Sequence, residues 1–205
     1  MFRTELYHAT SIEGPWTHHG VIVNGSNPSP HVLPNGTVVV AFKGIPNGLR
    51  IATAAHWRGP YEVLSPGGNE ILLSPKPVDI EDFFIWYDIA AKRWAVLLHQ
   101  YIGFELEPGG FAYSAGESLL SGWHFAGSNN SVYGYDINIT DSTSIHVDRQ
   151  RPKLLFGADG TPSYLYNGMD SLKQAQKGPT HTFVQRVRSW RPPYDTHDGA
   201  KARMG

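Results

Sequence analysis

Apolar positions along the chain come in short runs, broken at close intervals by Gly, Pro, Asn and Asp. Residues 37–42 (TVVVAF), 49–54 (LRIATA), 83–87 (FFIWY), 94–99 (WAVLLH) and 163–166 (SYLY) are rich in β-branched and aromatic side chains. That composition fits a pleated, half-buried strand. No stretch carries the longer period of an amphipathic helix; the nearest, residues 170–177, is short and set among loop residues. Leu33-Pro-Asn-Gly-Thr37 stands between two apolar runs and predicts a hairpin in which Asn35-Gly36 supplies positive φ. Ala158-Asp-Gly160 predicts the same turn between KLLF and SYLY. The pattern is that of an all-β chain.

These pieces recur in a fixed order: a polar motif, a strand, a turn, a second strand, a third strand with small residues, then Gly-aromatic. One unit opens at Ser26-Asn-Pro-Ser-Pro-His31, a second at Asp79-Ile-Glu-Asp82, a third at Asp148-Arg-Gln-Arg-Pro152. Gly14-Pro-Trp16, Gly59-Pro-Tyr61 and Gly122-Trp123 mark the unit ends, and LYHATSIEGPW reads as the end of a further unit. Repeated units of this size predict a β-propeller with one blade per unit; the alternative is a β-sandwich with unrelated turns. In a propeller the innermost strands line a central channel. Three polar motifs far apart in sequence would then converge on one axis.

Composition narrows the function. The chain has 205 residues, enough for one domain with a sizeable core. Lys plus Arg is 17 and Asp plus Glu is 18, so no basic excess points to nucleic acid or an anionic membrane. No apolar run is long enough to span a bilayer as a helix. With 0 Cys, disulfides and thiolate metal sites are excluded. Sequons at Asn24, Asn35, Asn129 and Asn138 fit secretion, while the N-terminus lacks a signal-peptide apolar region, so localisation stays open. P-loop, Rossmann, zincin and nucleophile-elbow motifs are absent.

The candidate chemistry centres on DIEDFFIW, residues 79–86, where Glu81 and Asp82 run into bulky apolar residues. Burying an unpaired carboxylate costs several kcal/mol or shifts its pKa. On a regular strand the two side chains point to opposite faces, so one is expected to reach the channel and the other to pair elsewhere, with an Arg. The plain alternative is a strand-start pair that binds backbone N–H groups. Tyr133 and Tyr135, in a Gly/Asn-rich loop, are candidate sugar-stacking platforms. Trp86 and Trp94 lie within strands, where a core role competes with a platform role. His31, His99 and His146 each lie near a motif, but without a second ligand at metal spacing, and no metal or cofactor is assigned.

The motifs resemble those of the five-bladed β-propeller glycoside hydrolases of the arabinanase, levansucrase and invertase group, particularly the family 43-like branch. The resemblance runs over residues 8–187. It rests on Ser26-Asn-Pro-Ser-Pro, Ile80-Glu-Asp-Phe-Phe-Ile-Trp86 with Leu97-Leu-His99, Gly109-Gly-Phe-Ala-Tyr-Ser114, and Arg149-Gln-Arg-Pro-Lys-Leu-Leu155 with Leu165-Tyr-Asn-Gly168. It implies an incomplete five-bladed propeller over residues 1–188, with about four blades represented and a partial first blade at 1–23; the Pro-rich, polar composition of residues 189–205 predicts a flexible tail. It also implies three carboxylates round an axial pocket: a first-blade base, a middle-blade Asp that orients and tunes, and a later-blade Glu acid. Asp82 matches the middle Asp, with Phe83 where Pro is usual and Glu81 beside it. Gln150 stands at the expected acid position, and the strand bearing the first-blade Asp is expected ahead of the sequence given. Asn27, His31, Trp86, His99, Arg149, Arg151, Tyr133 and Asn167 are the expected substrate-binding residues. The expected ligand is a poly- or oligosaccharide, cleaved or recognised. The alternatives are a catalytically inactive carbohydrate-binding propeller and a scaffold for protein partners.

Overall fold

The computed structural model describes residues 2–44, 48–64, 71, 73–74, 79–102, 105–126, 132–140, 143–170, 180–190 and 194. Among them there is no helix. The strands are β1 (Thr4–His8), β2 (Thr17–Val23), β3 (Ser26–Val32), β4 (Val38–Lys43), β5 (Leu49–Ala54), β6 (Glu62–Val63), β7 (Leu73–Ser74) and β8 (Asp79–Asp88). They continue with β9 (Arg93–Ile102), β10 (Glu105–Ser114), β11 (Trp123–Phe125), β12 (Asp136–Thr140), β13 (Thr143–His146), β14 (Asp148–Phe156), β15 (Pro162–Asp170) and β16 (His181–Arg186). Of the helical candidate at 170–177, Asp170 ends β15 and the rest lies outside the described residues.

The strands form separate sheets in chain order: β1-β2, β3-β4-β5-β6, β7-β11-β10-β9-β8, β12-β13 and β14-β15-β16. All pairings are antiparallel except β7 with β11. Both foreseen hairpins form, on the same hydrogen bonds. Gly36 has φ 87 and Gly160 φ 77. Leu33 N–H donates to Thr37 O at 2.8 Å, as Gly157 N–H does to Thr161 O at 2.8 Å. The side chains of Asn35 and Asp159 each accept from the backbone N–H two residues on, at 3.0 Å. The unit-end turns also match: Gly14 N–H donates to Ser11 O at 3.0 Å and Gly59 N–H to His56 O at 2.8 Å.

The sheets pack face to face, as blades do. Strand alternation explains why β9 serves two cores. Trp94, Val96 and Leu98 join Val39, Ala41, Leu49 and Ile51 of the preceding sheet. Ala95 and Leu97 join Leu154 and Leu165 of the β14–β16 sheet. The innermost strand of the middle sheet, β8, therefore lies between β3 and β14. Backbone ties reinforce this order: Ile85 N–H donates to the buried Ser29 Oγ at 3.0 Å, and Lys153 Nζ donates to Phe83 O at 2.9 Å.

Candidate functional site at the axial mouth

β3, β8 and β14 each break register at the same place, and β14 slips a second time between Leu155 and Phe156. The pairing slips between Ser26 and Ser29, between Glu81 and Phe84, and between Gln150 and Lys153. In each bulge one residue is left-handed: Asn27 (φ 52), Asp82 (φ 55) and Arg151 (φ 53). Asn and Asp enter this region readily, whereas for Arg it costs about 1–2 kcal/mol. Bulges with such residues re-aim side chains and cluster at functional sites. Here they aim an amide, a carboxylate and a guanidinium at one point. Asn27 Nδ2 donates to Asp82 Oδ1 at 2.7 Å, and Arg151 Nε lies 3.8 Å from the same oxygen.

The bulge corrects one expectation. Glu81 and Asp82 do not point to opposite faces; the left-handed turn at Asp82 brings both carboxylates to His99. His99 Nδ1 lies 4.0 Å from Glu81 Oε1 and 3.9 Å from Asp82 Oδ2. Among the described residues it is a Lys, not an Arg, that pairs with Glu81: Lys43, from β4, reaches Glu81 Oε2 at 3.1 Å and Asp79 Oδ1 at 3.3 Å. The bulge register also matches Arg151 to Asp82 and Gln150 to Glu81. Sequence reasoning passed over Lys43 and Lys153. The available signal was position, since Lys43 pairs with Ser26 just before one bulge and Lys153 follows another.

Asp82 is 6% exposed. Burial pushes its carboxyl above the ordinary 3.8, and Glu81 pushes the same way; Arg151, His99 and Lys153 oppose. His99, 1% exposed, is held below the ordinary 6.5 by burial, against the pull of Asp82, Glu81 and Asp148. Burial also lowers Lys153. Glu81, Asp82 and His99 each offer one donor atom within 4.8 Å of the others, a spacing open to a metal ion. Lys43, Arg151 and Lys153 already set cationic charge against those carboxylates. Beside this cluster a cavity of about 480 Å³ opens between Phe2, Ser26, Asn27, Lys43 and Glu81. Phe2, one of its walls, is largely exposed.

The other expected residues divide between two places. Arg149 is buried and donates to Gly134 O (3.0 Å), Asn167 Oδ1 (2.9 Å) and Gln185 Oε1 (3.0 Å). Tyr133 is 4% exposed, and its ring lies under the Arg149 guanidinium at 4.8 Å, so the structure places it in the core and not at a surface. Gln150 accepts from Asn167 Nδ2 through its backbone oxygen at 3.3 Å. His31 and Trp86 lie towards the other end of the inner strands, with Trp86 about 13 Å along β8 from Asp82 by strand rise. There they line a groove of about 750 Å³ with Phe156, Trp190 and Tyr194. The side chain of His146 lies outside those described.

No family model and no curated protein matches the sequence. Solved structures do match. A family 43 glycoside hydrolase from Bacillus licheniformis superposes with a TM-score of 0.57 at 12% identity, over 89% of this chain and 50% of that one. An endo-1,5-α-L-arabinanase from Thermotoga petrophila gives 0.59 at 12%, over 88% and 49%. A family 117 glycoside hydrolase from Zobellia galactanivorans gives 0.52 at 16%, over 89% and 50%. The chain has the fold of the β-propeller glycoside hydrolases. It spans about half the length of these three structures. In this propeller β3, β8 and β14 are the inner strands, and the three bulges sit together at one end of them.

Proposed function

We propose that the chain is a glycoside hydrolase-like propeller that binds a poly- or oligosaccharide at the axial mouth and cleaves its glycosidic bond there. The observation that carries this is the convergence of Glu81 and Asp82 beside a cavity walled by Phe2. Glycosidic cleavage needs one carboxyl group to protonate the leaving oxygen and another to attack or to activate water. Burial and mutual repulsion separate the behaviour of two such groups, and Asp82 carries the upward shift. In this reading Asp82 orients and tunes and, with its raised pKa, is also the proton donor; Glu81 is the carboxyl that attacks or activates water, and Asn27 holds Asp82 in place.

A specific observation favours a second reading. Asn27 and Arg151 flank Asp82, and Gln150 stands in the third motif at the position where the acid is expected. That set suits a propeller that recognises a sugar without cleaving it. Reducing-sugar release from a panel of aryl glycosides and oligosaccharides separates the two. The first reading expects turnover that Glu81→Gln lowers by about 100-fold or more. Saturable binding without release from any member overturns it in favour of the second.

A further inference from the structure

The axial mouth is electrically lopsided. On the β8 side, Lys43 reaches both Asp79 and Glu81. The opposite side is β14, which carries Arg149, Arg151 and Lys153. Arg149 is 2% exposed, and among the described residues no carboxylate lies within 4.0 Å of it. Its three hydrogen bonds go to neutral oxygens, and its guanidinium lies over the rings of Tyr133 (4.8 Å) and Phe183 (5.5 Å). Burial lowers its pKa only to about 10, so it stays charged at neutral pH. Lys153 Nζ donates to a neutral carbonyl, Phe83 O. Asp148 opens the strand and acts on His99. Asp82 is thus set against cations from β14, with Asp148 as the only acid on that strand.

Arg151 is the one of the three that a ligand can reach: its side chain is 76% exposed. The left-handed bulge holds its backbone at the mouth. Its contact with Asp82 runs through Nε at 3.8 Å, too long for a hydrogen bond. Among the described residues, nothing accepts from its two terminal nitrogens. That leaves a planar fork facing solvent, the geometry that grips a carboxylate or a sulfate through two parallel bonds.

We propose that the sugar unit bound on the β14 side of Asp82 carries an anionic oxygen group, a carboxylate or a sulfate ester, held by Arg151. The ligand class is therefore an acidic oligosaccharide rather than a neutral one. Arg149 and Lys153 add a positive field behind the fork without touching the ligand. This rests on the axial mouth being the carbohydrate site.

The test is calorimetric binding to matched oligosaccharide sets of common backbones: neutral, uronate-bearing and sulfated. At least one acidic member is expected to bind about tenfold more tightly than its neutral match at low salt, with the ratio falling as salt rises. Arg151→Gln is expected to bring that ratio towards one, and Arg151→Lys to restore part of it, since charge returns without the fork. A preference for uronate or for sulfate identifies which group the fork holds. Neutral members binding as tightly as acidic ones overturns the proposal and leaves the axial carbohydrate site standing. So does an acidic preference that Arg151→Gln leaves intact. Binding of no set overturns both.

Discussion

Asp82 is pulled in two directions by its surroundings. Burial and Glu81 raise its pKa, while Arg151, His99 and Lys153 lower it, and Asn27 donates a 2.7 Å bond to its Oδ1. A donor to the charged form favours that form. Asn27→Gly keeps the left-handed backbone, which Gly adopts freely, and removes the donor. The Asp82 carboxyl is therefore expected to titrate at higher pH in Asn27→Gly, read from side-chain carboxyl chemical shifts; an unmoved titration contradicts the positioning role. Asp82 was legible in the sequence because a charge pair at the mouth of an apolar run has few ordinary explanations. Its cations were not, because Lys43 and Lys153 are unremarkable residues until pairing sets them beside a bulge. Tyr133 misled for a related reason: a Gly/Asn-rich context reads as surface, yet Gly109 leaves the space that its ring fills. A Cβ on Gly109 would stand 1.9 Å from Tyr133 Cε1.

At the scale of elements, the inner strands are joined by single polar contacts as well as by apolar packing. Ser29, 2% exposed, accepts from Ile85 N–H across β3 and β8. Ser29→Ala leaves that buried N–H unpaired and is expected to cost about 1–3 kcal/mol, measured by urea unfolding. A cost within error of zero would mean that the β3–β8 junction rests on apolar contact alone. The hairpins were legible at residue level, since Asn35-Gly36 and Asp159-Gly160 carry their own turn chemistry. The bulges were not read, although they left a trace. Ile80, Phe83 and Ile85 share one core cluster, and a regular strand cannot put both Ile80 and Phe83 on one face. That broken alternation marks the place where Glu81 and Asp82 come to the same side.

At the scale of the whole molecule, the middle sheet is packed on both faces and its charged mouth couples stability to pH. His99 is buried with a folded pKa below 6.5, so between that value and 6.5 the unfolded chain binds more protons. Its contribution is complete above pH 6.5 and is lost as pH falls. The urea midpoint should drop from about pH 7.5 to about pH 5.5, and His99→Gln should lessen that drop; an unchanged slope would assign the acid sensitivity to other groups. Asp82 works in the opposite direction, because a raised folded pKa means stability is lost as pH climbs from 3.8 through the folded value. The propeller order was legible from repeating motifs, whereas the assembly of the mouth from β3, β4, β8, β9 and β14 needed the fold.

The most direct measurement compares activity and stability in Asp82→Asn. Asn tolerates the left-handed φ of 55, keeps an oxygen for Asn27, and removes a buried negative charge beside Glu81. Glycoside turnover is expected to fall by about 100-fold or more, with a melting temperature equal to or above that of the parent. Turnover that survives the substitution, or that falls only in step with the melting temperature, would contradict this role for Asp82.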